Sequence, residues 1–466
     1  MRSKIQNKKI ILYGKEEICN QIKYVLNSKN IKVVTEISKL KPQKDTIIIL
    51  CYIDKDEKKK IKKSLKYKKD YIYIENIYNE LNKGNIKRYQ LNLKNIVFMM
   101  FIIRPKFNNL KIINKIPTKY LKPSEMLIKV LNSKTLNLDC KNIEETSYIN
   151  YDGYAWGCCE TWVQIPFGNF LNEQEDIYDN YTARIIKLSS LNNTYCFCNF
   201  NKCKYNHKKQ QDKNIGKLET KNHPKEITIA IDKTCNLKCS SCRKKRYKAN
   251  VKEQQKQELI VENIKKTGWL DKSTIIMAGQ GEVFYSPTYR KILESDIKRD
   301  TIKLLTNGTL FNKKNWDFIS KIYKNIYVSV SIDSAKKETY RKLRCGNFDL
   351  LKKNLQMLGE LRKENKIKEI QYNYVVQKDN YKEMIDFIKM AKEYNVDKIQ
   401  FTKLNNWRTY TKKEYIEKSL IIDNKYLVKD FYELLKNPIF KDKMIDIESF
   451  DEFINNSKHY YGDINE

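Results

Sequence analysis

A chain of 466 residues is too long for one ordinary core, so roughly two to four folded units are expected, and a hydrophobic content of 41% with 12% aromatic residues is enough to build them. No apolar run approaches the roughly 20 residues of a membrane helix; the charged start leads only into the short run Ile10 to Tyr13, too brief for a secretory signal, so a cytoplasmic address is expected. The formal charge of +35 comes mostly from lysines spread along the whole length among Asn, Ile and Tyr, a compositional bias that predicts a solvated surface rather than a specific nucleic-acid site.

The first element is the apolar strand Ile10 to Tyr13, followed by Gly14 and a helical pattern of Ile18, Ile22, Val25 and Leu26. Further strands are expected at Ile31 to Val34 and at Thr46 to Ile53, the latter continuous and β-branched, as in a strand buried on both faces. This rhythm predicts a small Rossmann-like, doubly wound α/β domain over residues 1–90. Lys15 and Glu16 follow Gly14 where a nucleotide fold needs more glycine, so a docking or structural role is expected there. The lysine-rich run 55–69 reads as one polar helix face, and 91–150 is an unassigned connecting segment.

Residues 151–207 concentrate Gly, Trp, other aromatic residues and cysteines, and 208–225 form a polar linker containing Pro224. Strand candidates then recur at Glu226 to Asp232, Thr274 to Ala278, Ile302 to Thr306, Ile326 to Ile332, Glu369 to Val376 and Lys398 to Thr402. Amphipathic stretches such as Val251 to Lys266, Thr288 to Ile297 and Leu350 to Leu361 lie between them. Alternation of this kind predicts parallel strands with crossover helices, an open or partly closed (β/α)6 barrel over 226–410, with a helical tail over 411–466. In such folds the chemistry sits at the carboxyl ends of the strands.

Of 12 cysteines, Cys158, Cys159, Cys196, Cys198 and Cys203 form one group and Cys235, Cys239 and Cys242 another. In a cytosolic chain, clusters of this kind point to metal or catalysis rather than to disulfides. Cys19, Cys51, Cys140 and Cys345 are scattered and read as small buried hydrophobes. His207, His223 and His459 belong to no Cys/His or Ser/His constellation, so a hydrolytic triad has no support.

The second group, CxxxCxxC, stands directly after the first strand of the α/β repeat. Three thiolates on one loop can ligate three irons of a cubane cluster, or form part of a zinc site with a distant fourth ligand. The next strand ends carry Gly279, Gln280, Gly281 and Glu282, then Thr306, Asn307, Gly308 and Thr309, then Ser329, Ser331 and Asp333, with Tyr340, Arg344, Gly346 and Asn347 beyond. This succession resembles the radical S-adenosylmethionine superfamily, with Ser241 where that superfamily often has an aromatic residue.

The resemblance implies that Cys235, Cys239 and Cys242 hold a [4Fe-4S] cluster with one open iron. S-adenosylmethionine (SAM) is then bound there and reductively cleaved to a 5′-deoxyadenosyl radical, which abstracts hydrogen so that the substrate is oxidised or rearranged. It further implies contacts to the cofactor from Gly279, Gly281, Glu282, Asn307, Ser329, Ser331, Asp333 and Arg344, types that suit it because glycine admits the backbone, Glu282 pairs an ammonium and Arg344 forks a carboxylate. Asn406 and Trp407, at the sixth strand end, are candidate substrate contacts. An external reductant such as flavodoxin or ferredoxin is implied.

The block from Asp152 through Cys158, Cys159 and Trp162 to Gly168 and Asn169, closing with Cys196, Cys198 and Cys203, resembles the SPASM-type auxiliary cluster region, placed here before the barrel rather than after it. Cys158, Cys198 and Cys203 fit best, with Cys159 or Cys196 as a fourth thiolate. An iron–sulfur cluster and a zinc site both remain open.

The α/β front end turns the substrate expectation toward carbohydrate or surface-polymer biosynthesis. A peptide-modifying maturase is the alternative, and a catalytically inactive iron–sulfur or zinc interaction protein is the reading from another class.

Overall fold

The computed structural model describes residues 9–14, 16–26, 31–36, 46–51, 71–73, 123–136, 138, 140–172, 177–200, 203, 223–277, 279–295, 300–407 and 409–462. The lysine run 55–69, His207, residues 91–122, Ala278 and most of the linker 208–225 lie outside them. Two compact units emerge, a front unit of residues 1–145, 155–168 and 175–223 and a barrel unit of 146–154, 169–174 and 224–466.

In the front unit, β1 (Lys9–Gly14), β2 (Ile31–Val34), β3 (Thr46–Cys51) and β4 (Tyr71–Tyr73) pair in the order β2-β1-β3-β4, every pair parallel. Ile10 stands opposite both Ile31 and Ile47, so apolar residues meet across the ladder. The helix Glu16–Leu26 buries Cys19, Ile22, Tyr24 and Val25, as its apolar spacing requires. A second helix, Tyr181–Leu191, is capped by Asn180, whose side chain accepts from the Ala183 amide. Its Arg184 is buried, paired with Asp179, and donates to the Tyr24 carbonyl at 2.7 Å, which fastens this helix to Glu16–Leu26. The cysteine-rich segment and the α/β strands therefore belong to one unit. The stretch left unassigned in sequence contributes the helix Pro123–Asn132 to it.

The barrel unit opens with β5 (Thr146–Asn150); the short strands β6 (Tyr154–Trp156) and β7 (Gly168–Asn169) each take residues from both units. Then follow β8 (Glu226–Ala230), β9 (Thr274–Met277), β10 (Thr301–Thr306), β11 (Asn325–Ser331), β12 (Glu369–Val376), β13 (Lys398–Lys403), a hairpin of β14 (Ile421–Ile422) and β15 (Tyr426–Leu427), and β16 (Ile445–Asp446). Eight neighbouring strands of the larger sheet run β16-β13-β12-β11-β10-β9-β8-β5, all pairs parallel. The six expected strands form its centre. The structure adds β5 at one edge, from the unassigned segment, and β16 at the other, so the tail is three helices, a hairpin and a strand rather than helices alone.

Burial alternates strictly along β10, β11 and β12. One face is sealed by helices: Tyr374 packs edge-on against Phe387 of the helix Met384–Glu393 at 4.7 Å, and Asn354 of the helix Phe348–Lys363 donates to the Gly308 and Thr309 carbonyls at 2.8 and 3.0 Å. The other face is half-buried and carries Ser329, Ser331 and Asn373. A parallel sheet covered on both faces would read as continuous burial, so the alternation marks a face that remains partly open.

Candidate cofactor site and cysteine groups

The loop after β8 begins at buried Asp232, whose carboxylate accepts from the Thr234 amide at 2.9 Å, Gln257 at 3.1 Å and the Ser286 hydroxyl at 2.6 Å. That anchor fixes the entry to the cysteines. The Cys235 amide donates to the Tyr247 carbonyl at 3.0 Å, and the Cys239 carbonyl accepts from the amides of Cys242 and Arg243 at 3.0 and 3.1 Å, a tight turn that joins the second and third cysteines. Cys235 and Cys239 are buried around Leu237, whereas Cys242 is exposed. Arg243 donates to the Cys242 sulfur at 3.4 Å through both Nε and Nη2, and also to the carbonyls of Lys233 and Gln280, the latter at 2.7 Å. Burial pushes the Cys235 thiol up, and the Cys239 thiol up to about 11 despite nearby Arg344. Metal binding at these sulfurs must therefore displace protons.

The following strand ends converge on this loop. Gly279 and Gly281 allow a close approach: a Cβ at Gly279 would sit 2.7 Å from the Ala230 Cβ, and one at Gly281 would sit 2.6 and 2.7 Å from the Asp232 and Thr234 carbonyl oxygens. Glu282 is fully buried. Its carboxylate accepts from the Thr306 hydroxyl and the Asn307 amide, each at 2.7 Å, and burial raises its pKa. Asn307 donates to Asn236 at 2.9 Å and accepts from Thr309, linking the third strand end to the cysteine loop. The Ser329 hydroxyl accepts from Asn373 at 2.7 Å.

Asp333 is engaged through both carboxylate oxygens. Its backbone is left-handed at φ 65°, a region that Asp tolerates better than most residues. One carboxylate oxygen pairs with Arg344 at 2.9 Å, and the other accepts from the Val375 amide at 2.7 Å. Asp333 is thus a bracket between strand ends. Arg344 is 9% exposed and also donates to the Ser331 carbonyl at 2.7 Å; its Nε has no hydrogen-bond partner among the described residues. Burial alone would lower its pKa, but the charges of Cys239 and Asp333 outweigh that and raise it.

Beyond β13, Trp407 is 58% exposed, while Asn406 is occupied locally, donating to the Tyr410 carbonyl at 2.9 Å and accepting from its amide at 3.2 Å. The same segment reaches the cysteine loop through residues that sequence reasoning passed over. Thr409 donates to the Ser241 carbonyl at 3.3 Å, and the hydroxyls of Tyr410 and Ser240 lie 3.2 Å apart. Also unforeseen is a cluster in which Tyr151 donates to Glu253 at 2.7 Å beside a bond from Tyr247, with Lys233 and Lys256 over the Tyr151 ring at 4.0 and 3.7 Å. The hydroxyls of Tyr247 and Tyr151 hold Glu253 down at about 2. Because Tyr247 also receives the Cys235 amide, the cluster fastens the cysteine loop to the helix Val251–Lys266. No short motif marks these residues; a Tyr and a Glu six positions apart are common.

All the remaining grouped cysteines lie in the front unit. Cys158 is buried, and Cys159 makes a turn whose carbonyl accepts from the Trp162 and Val163 amides. Val163 bridges to Cys198, and the Cys203 amide donates to the Asn199 carbonyl at 3.0 Å. The structure corrects one sequence expectation here. Cys140 is half-buried rather than buried, and its amide donates to the Tyr195 hydroxyl at 3.2 Å. Among the described residues no three His, Cys, Asp or Glu side chains stand close enough to hold a single metal ion, in the barrel loop or in the front unit.

Three thiols on one loop, a buried arginine with an unpartnered donor and backbone approach permitted by glycine fit a cluster with a bound cofactor that carries a carboxylate and an amine. The sequence profile of the Radical SAM superfamily matches residues 229–391. The antilisterial bacteriocin subtilosin biosynthesis protein AlbA of Bacillus subtilis (strain 168) is 27% identical over 143 residues, covering 29% of this chain and 31% of its own, so the chain spans about a third of that relative's length. Among solved structures, Streptococcus suis SuiB bound to precursor peptide SuiA is similar at 20% identity and TM-score 0.35, covering 48% of each chain. Native anSMEcpe with bound AdoMet is similar at 20% identity and TM-score 0.33, covering 48% of this chain and 64% of its own. Residues 229–391, which carry the three-cysteine loop and the strand ends that meet it, are thus similar to the radical SAM superfamily, whose cofactors are a [4Fe-4S] cluster and SAM.

Proposed function

We propose that this chain is a peptide-modifying radical SAM enzyme. The observation that carries the enzymatic part is the convergence of Cys235, Cys239 and Cys242 with the ends of β9, β10 and β11 inside the segment that matches the superfamily. When bound and reduced, the cluster and SAM supply a carbon-centred radical able to take hydrogen from an unactivated carbon.

The chain's own residues hold and orient. Cys235, Cys239 and Cys242 would hold the cluster through three of its irons and leave the fourth for the cofactor. Glu282, kept in place by Thr306 and Asn307, would hold the cofactor's amino group, and Arg344 would offer its unpartnered Nε to the carboxylate. Ser329 and Ser331, on the half-buried face, suit ribose hydroxyls. Asp333 acts through Arg344. Trp407 stands exposed beside the loop that reaches Ser241 and offers an aromatic surface to a substrate.

The choice of peptide over carbohydrate is supported by the curated relative, which is named for the biosynthesis of a bacteriocin. The carbohydrate expectation drew only on the α/β front end. Among the described residues no helix is long and apolar enough to cross a membrane.

The test is anaerobic reconstitution of the full chain with iron and sulfide, followed by dithionite and SAM. Formation of 5′-deoxyadenosine that is lost in the Cys235→Ala, Cys239→Ala, Cys242→Ala protein supports the enzyme reading; a loaded cluster with no 5′-deoxyadenosine returns the chain to the inactive interaction class. A short peptide that co-purifies with the triple variant and changes mass on incubation with active protein supports the substrate class. Turnover stimulated by nucleotide sugars and not by that peptide restores the carbohydrate reading.

A further inference from the structure

In the basic run that follows the third barrel cysteine, Lys244, Lys245, Arg246 and Lys248 are exposed, whereas Arg243 is half-buried. Turning a guanidinium inward costs solvation that hydrogen bonds must return. The partners of Arg243 do so, and all of them lie around the cofactor site. Its Nε and Nη2 both donate to the Cys242 sulfur at 3.4 Å. Its Nη1 donates to the Lys233 carbonyl at the entry to the cysteine loop, and Nη2 donates again to the Gln280 carbonyl at 2.7 Å.

These acceptors belong to two different loops. Lys233 and Cys242 stand at the two ends of the cysteine loop after β8, and Gln280 lies in the glycine turn after β9. The two loops are already in close approach, since a Cβ at Gly281 would sit 2.6 Å from the Asp232 carbonyl oxygen. One planar group therefore serves both the outermost thiol and the turn beside it, which a rigid fork of donors can do and a single ammonium cannot. The buried Cys235 sulfur, by contrast, meets a neutral amide, Asn307, at 3.9 Å, so the positive charge is set against the exposed Cys242. As a cluster ligand Cys242 would be a thiolate, to which a cationic N–H bonds more strongly than to a thiol. Hydrogen bonds and positive charge at a cluster's sulfurs favour its reduced, more negative state and so raise its reduction potential.

We propose that Arg243 is a positioning residue for the radical chemistry: through Cys242 it raises the reduction potential of the barrel cluster, and through Gln280 it holds the glycine turn in shape for SAM. The two actions have different physical origins. Charge acts on the cluster and survives replacement by another cation, whereas the grip on the turn needs the geometry of the fork. The electron itself comes from an external reductant; Arg243 changes how readily the cluster accepts it and takes no part in bond cleavage. The inference rests on the radical SAM reading of the cysteine loop and is independent of the choice of substrate.

The experiment compares the full chain with Arg243→Met and Arg243→Lys, each reconstituted anaerobically with iron and sulfide. The barrel cluster is followed by the reduced-state electron paramagnetic resonance signal that is absent from the Cys235→Ala, Cys239→Ala, Cys242→Ala protein, titrated against redox dyes without SAM or substrate. Arg243→Met is expected to keep its iron and to lower the midpoint by at least about 59 mV, a tenfold fall in the reduced-to-oxidised ratio at a fixed potential. It is also expected to bind SAM roughly tenfold more weakly in equilibrium dialysis. Arg243→Lys, which keeps the charge and loses the fork, is expected to recover at least half of the midpoint shift and none of the SAM affinity. An unchanged midpoint in Arg243→Met, or a midpoint in Arg243→Lys as low as in Arg243→Met, overturns the assignment to the cluster. SAM affinity that is unchanged in Arg243→Met or restored in Arg243→Lys overturns the assignment to the turn. Loss of the barrel iron from both variants overturns the proposal as a whole, because Arg243 would then hold the loop together rather than tune it. An unsubstituted protein that takes up no barrel iron overturns the radical SAM reading of the loop and this inference with it.

Discussion

The two cysteine regions solve the same problem in opposite ways. In the barrel unit the three cysteines occupy one short loop, and the fold supplies everything around them: Asp232 at the entry, Tyr247 across from Cys235, Arg243 on Cys242, and Asn307 and Thr409 from distant strand ends. In the front unit the cysteines themselves are dispersed, and Tyr195 and a β-bridge at Val163 gather them. A local loop can be remodelled by its neighbours without losing its ligands from one another. A dispersed set depends on tertiary contacts for its existence, so the two regions should respond differently to substitutions that leave the cysteines untouched.

The largest expected effect is on the barrel side. Cys235→Ala, Cys239→Ala and Cys242→Ala together remove about four irons and abolish 5′-deoxyadenosine formation, while any iron held by the front cysteines remains, read by iron analysis and by chromatography of the SAM products. Loss of all iron would show that the two regions are not independent.

Next comes Arg344→Leu, which leaves the Asp333 carboxylate buried beside Cys239 without its cation. Removing one partner of a buried pair costs about 3–5 kcal/mol, measured as a lower urea midpoint of the barrel unit, and 5′-deoxyadenosine formation falls with it. Asp333→Asn, which keeps an acceptor toward Val375, should be milder. If the two variants are equally harmful, Asp333 does more than hold Arg344.

Gly281→Ala forces a Cβ to within 2.6 Å of the Asp232 carbonyl oxygen. Overpacking of this kind costs about 1–3 kcal/mol, and the displaced loop should weaken SAM binding with barrel iron retained, as equilibrium dialysis of the loaded protein would show. Unchanged SAM affinity would mean that the close approach of the two loops is not needed for the cofactor.

The smallest effect is the sharpest test of the comparison. Tyr195→Phe touches no sulfur but removes the hydroxyl that receives the Cys140 amide. Losing such a partner costs about 1–3 kcal/mol, so the front unit should show a lower urea midpoint with the barrel unit unaffected. An equal midpoint in Tyr195→Phe and the unsubstituted protein would mean that Cys140 is held by other contacts.

The legible part of the fold was the part written in local pattern. Continuous β-branched runs and helix-spaced apolar residues indicated the six central strands and the parallel front strands, since burial period is a property of a short window. The edge strands β5 and β16 were missed: Thr146–Asn150 is mixed in polarity, and Ile445–Asp446 is two residues long. Asp333 was read as a cofactor contact because its position in the chain is consistent with one; its engagement with Arg344 and Val375 depends on a left-handed turn that spacing does not reveal.

Sequence by itself pointed to the barrel loop as the candidate site, because three cysteines fall within eight residues and the glycines and carboxylate that follow lie at predictable strand ends. Only the tertiary structure decided which side chains are already engaged and which keep an unpartnered donor, as Arg344 does. It also decided that Tyr195 receives the backbone amides of both Cys140 and Cys198, a link made by the side chain and turn of Tyr195 and not by distance along the chain.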